Sequence, residues 1–196
     1  MSLPPFFVKI DHLAGGIESL KYFLRQKLFL KVVCPEVAKF LFVRFPDLDY
    51  SLNEEKKFND ILSSVKVYKG AESIYKQLRE SRLCIHDFLG TTWLETLSMN
   101  FPTVIFYDPK SINILRSTQP YLDDLRRVRI LHDTPESAAK LVNEIYEDPI
   151  SWWSSPDIQE VRRKFCHQFA RTSDEWLSQW KEKLLDIAGD QKSRNQ

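Results

Sequence analysis

Apolar positions along the chain alternate between two rhythms. In "GIESLKYFLRQKLFLKVV", Ile17, Leu20, Phe23, Leu24, Leu28 and Leu30 recur at helical spacing. "KFLFVRF" is a compact aromatic and β-branched run that predicts a buried strand. The pattern then repeats: a turn and polar helix in "PDLDYSLNEEKKFNDILSS", a strand in "VKVYKG", and a helix in "AESIYKQLRES" with Ile74, Tyr75 and Leu78 inward. Next come a strand in "RLCIHD", a helix in "TTWLETLSMN" stopped by Asn100, Phe101 and Pro102, and a strand in "TVIFY". "PYLDDLRRV" predicts a short helix and "RILH" a short strand. "DTPESAAKLVNEIYEDP" is the plainest helix, with Thr134 as N-cap, Pro135 at the first position and Glu136 in the first turn. Two further helices are predicted, near 156–169 and 173–187, and residues 1–14 read as an irregular lead-in.

Strands alternating with helices need crossover connections, which parallel strands supply. The predicted fold is α/β: a Rossmann-like, mostly parallel sheet of about five strands with helices on both faces. Residues 1–150 form that domain, 151–188 a helical extension packing back on it, and 189–196 a flexible tail. There is no internal repeat and no low-complexity segment.

Composition narrows the function classes. With 43% hydrophobic, 13% aromatic and 28% charged residues, the chain has the makeup of a folded globular protein rather than a disordered one. The net charge of +1 gives no global field for nucleic acid, so no nucleic-acid partner is expected. Apolar runs such as 40–43 and 104–107 are too short to cross a bilayer. Three cysteines, Cys34, Cys84 and Cys166, are odd in number and far apart. They set up neither a disulfide framework nor a zinc site and suit a reducing compartment, so a cytoplasmic location is expected.

One stretch stands apart. The chain has only five glycines, and one sits in "HDFLGTTWLE", between a strand and a helix. Open parallel sheets bind ligands at the carboxyl ends of their strands. Gly90 would allow close backbone approach, and the amides of Thr91 and Thr92 would start a helix, a natural seat for phosphate. Glu95, one turn on, could take the hydroxyls of a ribose. The plainer alternative is that Asp87 or Thr91 caps the helix and Glu95 complements its dipole. No GxGxxG or GxxxxGK[ST] motif occurs. His86 ends the same strand, but alternation turns it to the opposite side from Asp87 and suits a buried, satisfied imidazole. Asp108, Lys110 and His132 stand at neighbouring strand ends and could line the same crevice.

In "HDFLGTTWLETLSMNFPTVIFYDP", "LFVRFPDLDY", "ILHDTPESAAKLVNEIY" and "WWSSPDIQEVRRKFCHQFARTSDEWLSQW", the chain resembles the C-terminal part of bacterial surface-polysaccharide transferases. These are GT-B glycosyltransferase-like proteins related to the glycerophosphotransferases of teichoic-acid synthesis. The resemblance implies a domain that binds a nucleotide-activated sugar or phospho-sugar donor. Acceptor site and catalytic base would come from an N-terminal domain or partner chain. It places Arg44 on the donor phosphates, matches Asp87, Gly90, Thr91 and Thr92 to the donor loop, and matches Glu95 to the ribose acid. Arg44 could equally pair with Asp47 or Asp49 on the surface. No resident cofactor and no metal are expected, since stabilisation of the leaving phosphate by helix-end amides and Arg44 needs none, and the expected location is cytoplasmic, peripheral at the inner face of the membrane. Two other readings stay open: a non-catalytic nucleotide-binding or interaction module, and a sugar-nucleotide epimerase-like protein.

The C-terminal aromatics Trp152, Trp153, Phe165, Phe169, Trp176 and Trp180 could suggest a sugar platform. Their i, i+4 pairs instead predict core-facing helix stripes. Some would lie exposed where an N-terminal domain is absent.

Overall fold

The structure, a computed structural model, describes residues 6–9, 17–45, 66–69 and 73–194. The polar helix predicted after Pro46 and the turn at Gly70 lie outside these residues.

Six strands form one sheet: β1 (Phe6–Lys9), β2 (Leu41–Phe45), β3 (Lys66–Lys69), β4 (Leu83–His86), β5 (Thr103–Phe106) and β6 (Leu131–His132). Their order is β3-β2-β1-β4-β5-β6, and every pairing is parallel. That is one strand more than the hydrophobic runs predict. The addition is β1, inside the lead-in read as irregular. Four residues are too few to display an alternation, so no local pattern marks it. It is nonetheless central, pairing Phe6 with both Leu41 and Leu83. The chain runs outward from β1 through β2 to β3, then returns to β4 and runs the other way. The switch in direction falls between β1 and β4.

Nine helices are described: α1 (Ile17–Val32), α2 (Pro35–Ala38), α3 (Ile74–Arg79), α4 (Thr92–Ser98), α5 (Gln119–Arg127), α6 (Pro135–Ile145), α7 (Pro149–Trp153), α8 (Pro156–Phe169) and α9 (Trp176–Arg194). Strand alternation divides the core in two. Leu41, Val43, Leu83, Ile85, Val104 and Phe106 pack with α1, α2 and α6 on one face. There the rings of Phe29 and Phe106 stack with centroids 5.1 Å apart. On the other face, Phe42 and Cys84 meet Leu78 of α3. Beside them, Ile105 and Tyr107 pack with α4, α5 and α8.

The inward face of α1 matches expectation in part: Phe23 and Leu30 pack half-buried against the core, and the side chains of Ile17 and Leu20 lie outside those described. Leu24 and Leu28 are exposed, whereas Tyr22, Gln26, Phe29 and Val33 are buried. Their i, i+4, i+7, i+11 spacing is helical, but two of the four are polar, so a search for apolar periodicity passes over them. In α3, Leu78 and Gln77 face inward and Tyr75 faces out, the reverse of the prediction for Tyr75.

Two helix ends carry the same device. After α4, Asn100 takes φ 55°, with Phe101 N–H donating to Thr96 O and Asn100 N–H to Leu97 O. After α5, Arg129 takes φ 64°, with Ile130 N–H donating to Leu125 O and Arg129 N–H to Arg126 O. Both are Schellman ends built without glycine. Each turns the chain sharply into the next strand. Thr134 caps α6 as predicted, accepting from Ser137 N–H.

In the C-terminal segment, Ile158, Val161 and Phe165 of α8 are buried against α4 and α5. Trp176 and Trp180 of α9 are exposed, so their i, i+4 spacing does not mark a core stripe. The helix also continues to Arg194, through most of the stretch expected to be a flexible tail.

Candidate functional site

The carboxyl ends of β1 and β4 lie side by side, with Lys9 opposite His86 in register. This is where the strand order reverses, and the turn 87–91 leads from it into α4. Alternation then sorts the sequence-predicted residues onto two faces.

On the α1/α6 face stand Asp87, Asp108 and His132. Asp87 is buried, and its Oδ2 accepts from Tyr22 Oη at 2.9 Å and Gln26 Nε2 at 2.6 Å. It therefore ties the turn to α1, and these donors replace the helix-capping role considered for it. Asp108 lies 3.3 Å from Arg25 Nη1 and accepts from the Lys110 N–H at 2.9 Å. Two carboxylates at neighbouring strand ends are thus held by residues one turn apart on α1, Tyr22, Arg25 and Gln26. Sequence reading missed all three; their signal is a polar run on the side of α1 that also carries Phe29. The Lys110 side chain is exposed.

His132 is turned onto α6 at the sheet edge rather than toward the β1/β4 junction. Its Nε2 lies 2.9 Å from Arg129 O and its Nδ1 2.6 Å from Ser137 Oγ. A carbonyl only accepts, so the hydrogen-bond network assigns the proton to Nε2, and Ser137 donates to Nδ1. Burial pushes the imidazole down from 6.5 to about 4, against the opposing pull of the Arg129 carbonyl. An open cavity of ≈ 530 Å³ runs beside it, lined by Arg126, Arg129, Lys140, Asp133 and Glu144 among others. Its arginines are matched by carboxylates, Arg126 to Asp133 at 2.8 Å and Arg129 to Glu144 at 2.7 Å.

On the other face stand Arg44, His86 and Glu95. Arg44 Nη1 donates to Gln77 Oε1 at 2.7 Å, and Gln77 is itself buried on α3. Asp47 and Asp49 lie outside the described residues. His86 is buried, its Nε2 lying 3.1 Å from Thr96 Oγ1 and 3.3 Å from Cys84 Sγ. Thr96 Oγ1 donates to Trp93 O, so it accepts from His86 Nε2–H. This imidazole belongs to the packing between β4 and α4, as alternation predicts. Glu95 Oε2 accepts from Tyr75 Oη at 3.2 Å, and that carboxylate pushes the Tyr75 hydroxyl up. Arg44 and His86 occupy one register row through Lys9, two strand spacings apart, or about 10 Å.

Gly90 and Thr91 span the tip between the two faces. Thr91 is exposed, with φ −82° and ψ −31° and no side-chain capping bond. Thr92 is buried at the first position of α4. Neither Thr91 nor Asp87 caps the helix with its side chain. Among the described residues, no group of three or more His, Cys, Asp or Glu side chains is placed to hold a metal ion.

A doubly wound parallel sheet with its reversal at β1/β4 and polar groups gathered at that carboxyl edge defines a Rossmann-like α/β protein. The chain belongs to the LIC12162 family transferases, whose family profile matches residues 1–184. No curated protein matches the sequence. Among solved structures, the chain is similar to the catalytic domain of cholesterol-α-glucosyltransferase from Helicobacter pylori. That match has TM-score 0.49 and 14% identity over 84% of this chain and 97% of that one. It is also similar to WaaG, a glycosyltransferase involved in lipopolysaccharide biosynthesis, with TM-score 0.48 and 15% identity over 95% of this chain. The chain spans 47% of the WaaG structure, about half its length.

Proposed function

We propose that this chain is the donor-binding half of a glycosyltransferase-like enzyme, holding a nucleotide-activated sugar or phospho-sugar at the carboxyl edge of β1 and β4. The observation that carries this reading is the placement of the Asp87–Thr92 turn at the point where the strand order reverses, inside a chain that belongs to a transferase family. In this reading the backbone at Gly90 and Thr91 approaches the donor phosphates, with the start of α4 and the Arg44 guanidinium supplying positive potential. Glu95, on the outer side of α4, takes the ribose hydroxyls and exchanges its Tyr75 partner for them. Asp87 acts indirectly: anchored on Tyr22 and Gln26, it fixes the turn rather than touching the phosphates, which its charge would repel.

The chemistry is then displacement of a nucleoside phosphate by an acceptor hydroxyl. Negative charge grows on the leaving phosphate as the bond breaks, and preorganised donors at the turn lower that barrier. The acceptor and its base are assigned to another domain or chain, in the service of surface-polysaccharide synthesis.

Calorimetry of the folded chain against UDP, CDP, GDP and ADP tests the site. Binding of at least one, weakened about tenfold or more by Glu95→Ala, is the expected result, since a lost bidentate contact to a carboxylate is worth roughly 1.5–3 kcal/mol. Indifference to all four would refute it. Binding without any transfer to acceptor sugars, even beside an acceptor-domain protein, would favour the non-catalytic nucleotide-binding module.

A further inference from the structure

Every helix from α4 to α8 buries an apolar side chain in the body, whereas the described side chains of α9, residues 176–189, are all exposed. Trp176, Leu177, Trp180, Leu184 and Ile187 are 59%, 67%, 62%, 57% and 49% exposed. At about 100° per residue these five occupy roughly 100° of the helix circumference. Lys183 borders that stripe on one side. Lys181 borders it on the other, between Leu177 and the exposed Leu185. Glu182 and Asp186 lie on the opposite side of the helix. Two tryptophans on one exposed stripe form a contiguous apolar patch of the kind that marks an interaction surface.

We propose that α9 is an interfacial helix that seats this face in the headgroup region of an anionic lipid bilayer. The charge pattern selects this occupant. Lys181 and Lys183 flank the apolar stripe while Glu182 and Asp186 lie away from it, which lets the ammonium groups snorkel to lipid phosphates while those two carboxylates stay in water. Indole rings favour the same depth, apolar in body and polar at the N–H. A second copy of the chain suits the face less well. Leu177, Trp180, Leu184 and Ile187 give only two heptads, and pairing along them would set Lys181 and Lys183 along both margins of the seam. Spanning is ruled out for this helix, since no described helix is long and apolar enough to cross a membrane. The proposal is independent of the nucleotide site, which lies on other elements.

Co-sedimentation of the full chain with phosphatidylcholine vesicles, with and without phosphatidylglycerol, tests it. The chain is expected to sediment with the anionic vesicles. Trp176→Ser and Trp180→Ser should each weaken binding about tenfold, the scale of half-burying a large apolar side chain. Lys181→Glu with Lys183→Glu should weaken it about tenfold or more on anionic vesicles alone. These positions are exposed, so circular dichroism of the variants should match the parent. The proposal is overturned if neither kind of vesicle carries the chain down, or if binding ignores phosphatidylglycerol or survives both tryptophan changes. A dimer in sedimentation velocity that the tryptophan changes dissolve, with no vesicle binding, would overturn it in favour of a second copy.

Discussion

Acidification should weaken this fold through one side chain, His132. Its ring is enclosed between β6 and α6, with Nε2–H on the Arg129 carbonyl and Nδ1 accepting from Ser137. Burial lowers its pKa from 6.5 to about 4. Between these two values the unfolded chain binds a proton that the folded chain refuses, so the stability from this group is complete above about pH 6.5 and falls as the pH drops toward 4. At about pH 4.5 the loss comes to roughly 2.5 kcal/mol, from a gap of some 2.5 pH units at about 1.4 kcal/mol each, not quite fully expressed. For a chain of this size that is a fall in Tm of about 5–10 °C. Other groups also titrate in this range, so the measurement is a difference. Thermal unfolding is followed by circular dichroism at about pH 7.5 and about pH 4.5 for the parent and for His132→Gln, which has no proton to gain. The variant is less stable at the higher pH but loses less on acidification, and the gap between the two chains narrows. In parallel, the ring resonances of His132 should not titrate between about pH 5.5 and pH 7. If parent and variant lose stability in step, burial does not hold His132 neutral.

Two further outcomes follow from the packing. Phe106→Ala removes one of two stacked rings at the centre of the α1 face and should cost about 3–5 kcal/mol in chemical denaturation. Thr96→Val keeps the shape beside β4 but removes the acceptor for His86 Nε2–H, and should cost about 1–3 kcal/mol. A loss as small as that of an exposed substitution would show that the imidazole has another partner.

Over the described residues, the strand-and-helix rhythm from "RLCIHD" onward is written in the local sequence, and so are the N-cap at Thr134 and the stop at Asn100. His86 turning away from Asp87 follows from alternation alone. Residue order also located the Gly90 turn between a strand and a helix. Only the tertiary structure decided the rest. The central strand β1 is four residues long and is defined by partners on both sides, which no local window contains. The donors that secure Asp87 lie 61 and 65 residues away on α1, and the buried positions Tyr22 and Gln26 carry polar groups because a buried carboxylate must be hydrogen-bonded. Trp176 and Trp180 show the same limit from the other side. Their spacing matches that of Phe165 and Phe169, but whether a stripe becomes core depends on what the fold sets against it, and among the described residues Trp176 and Trp180 stay exposed.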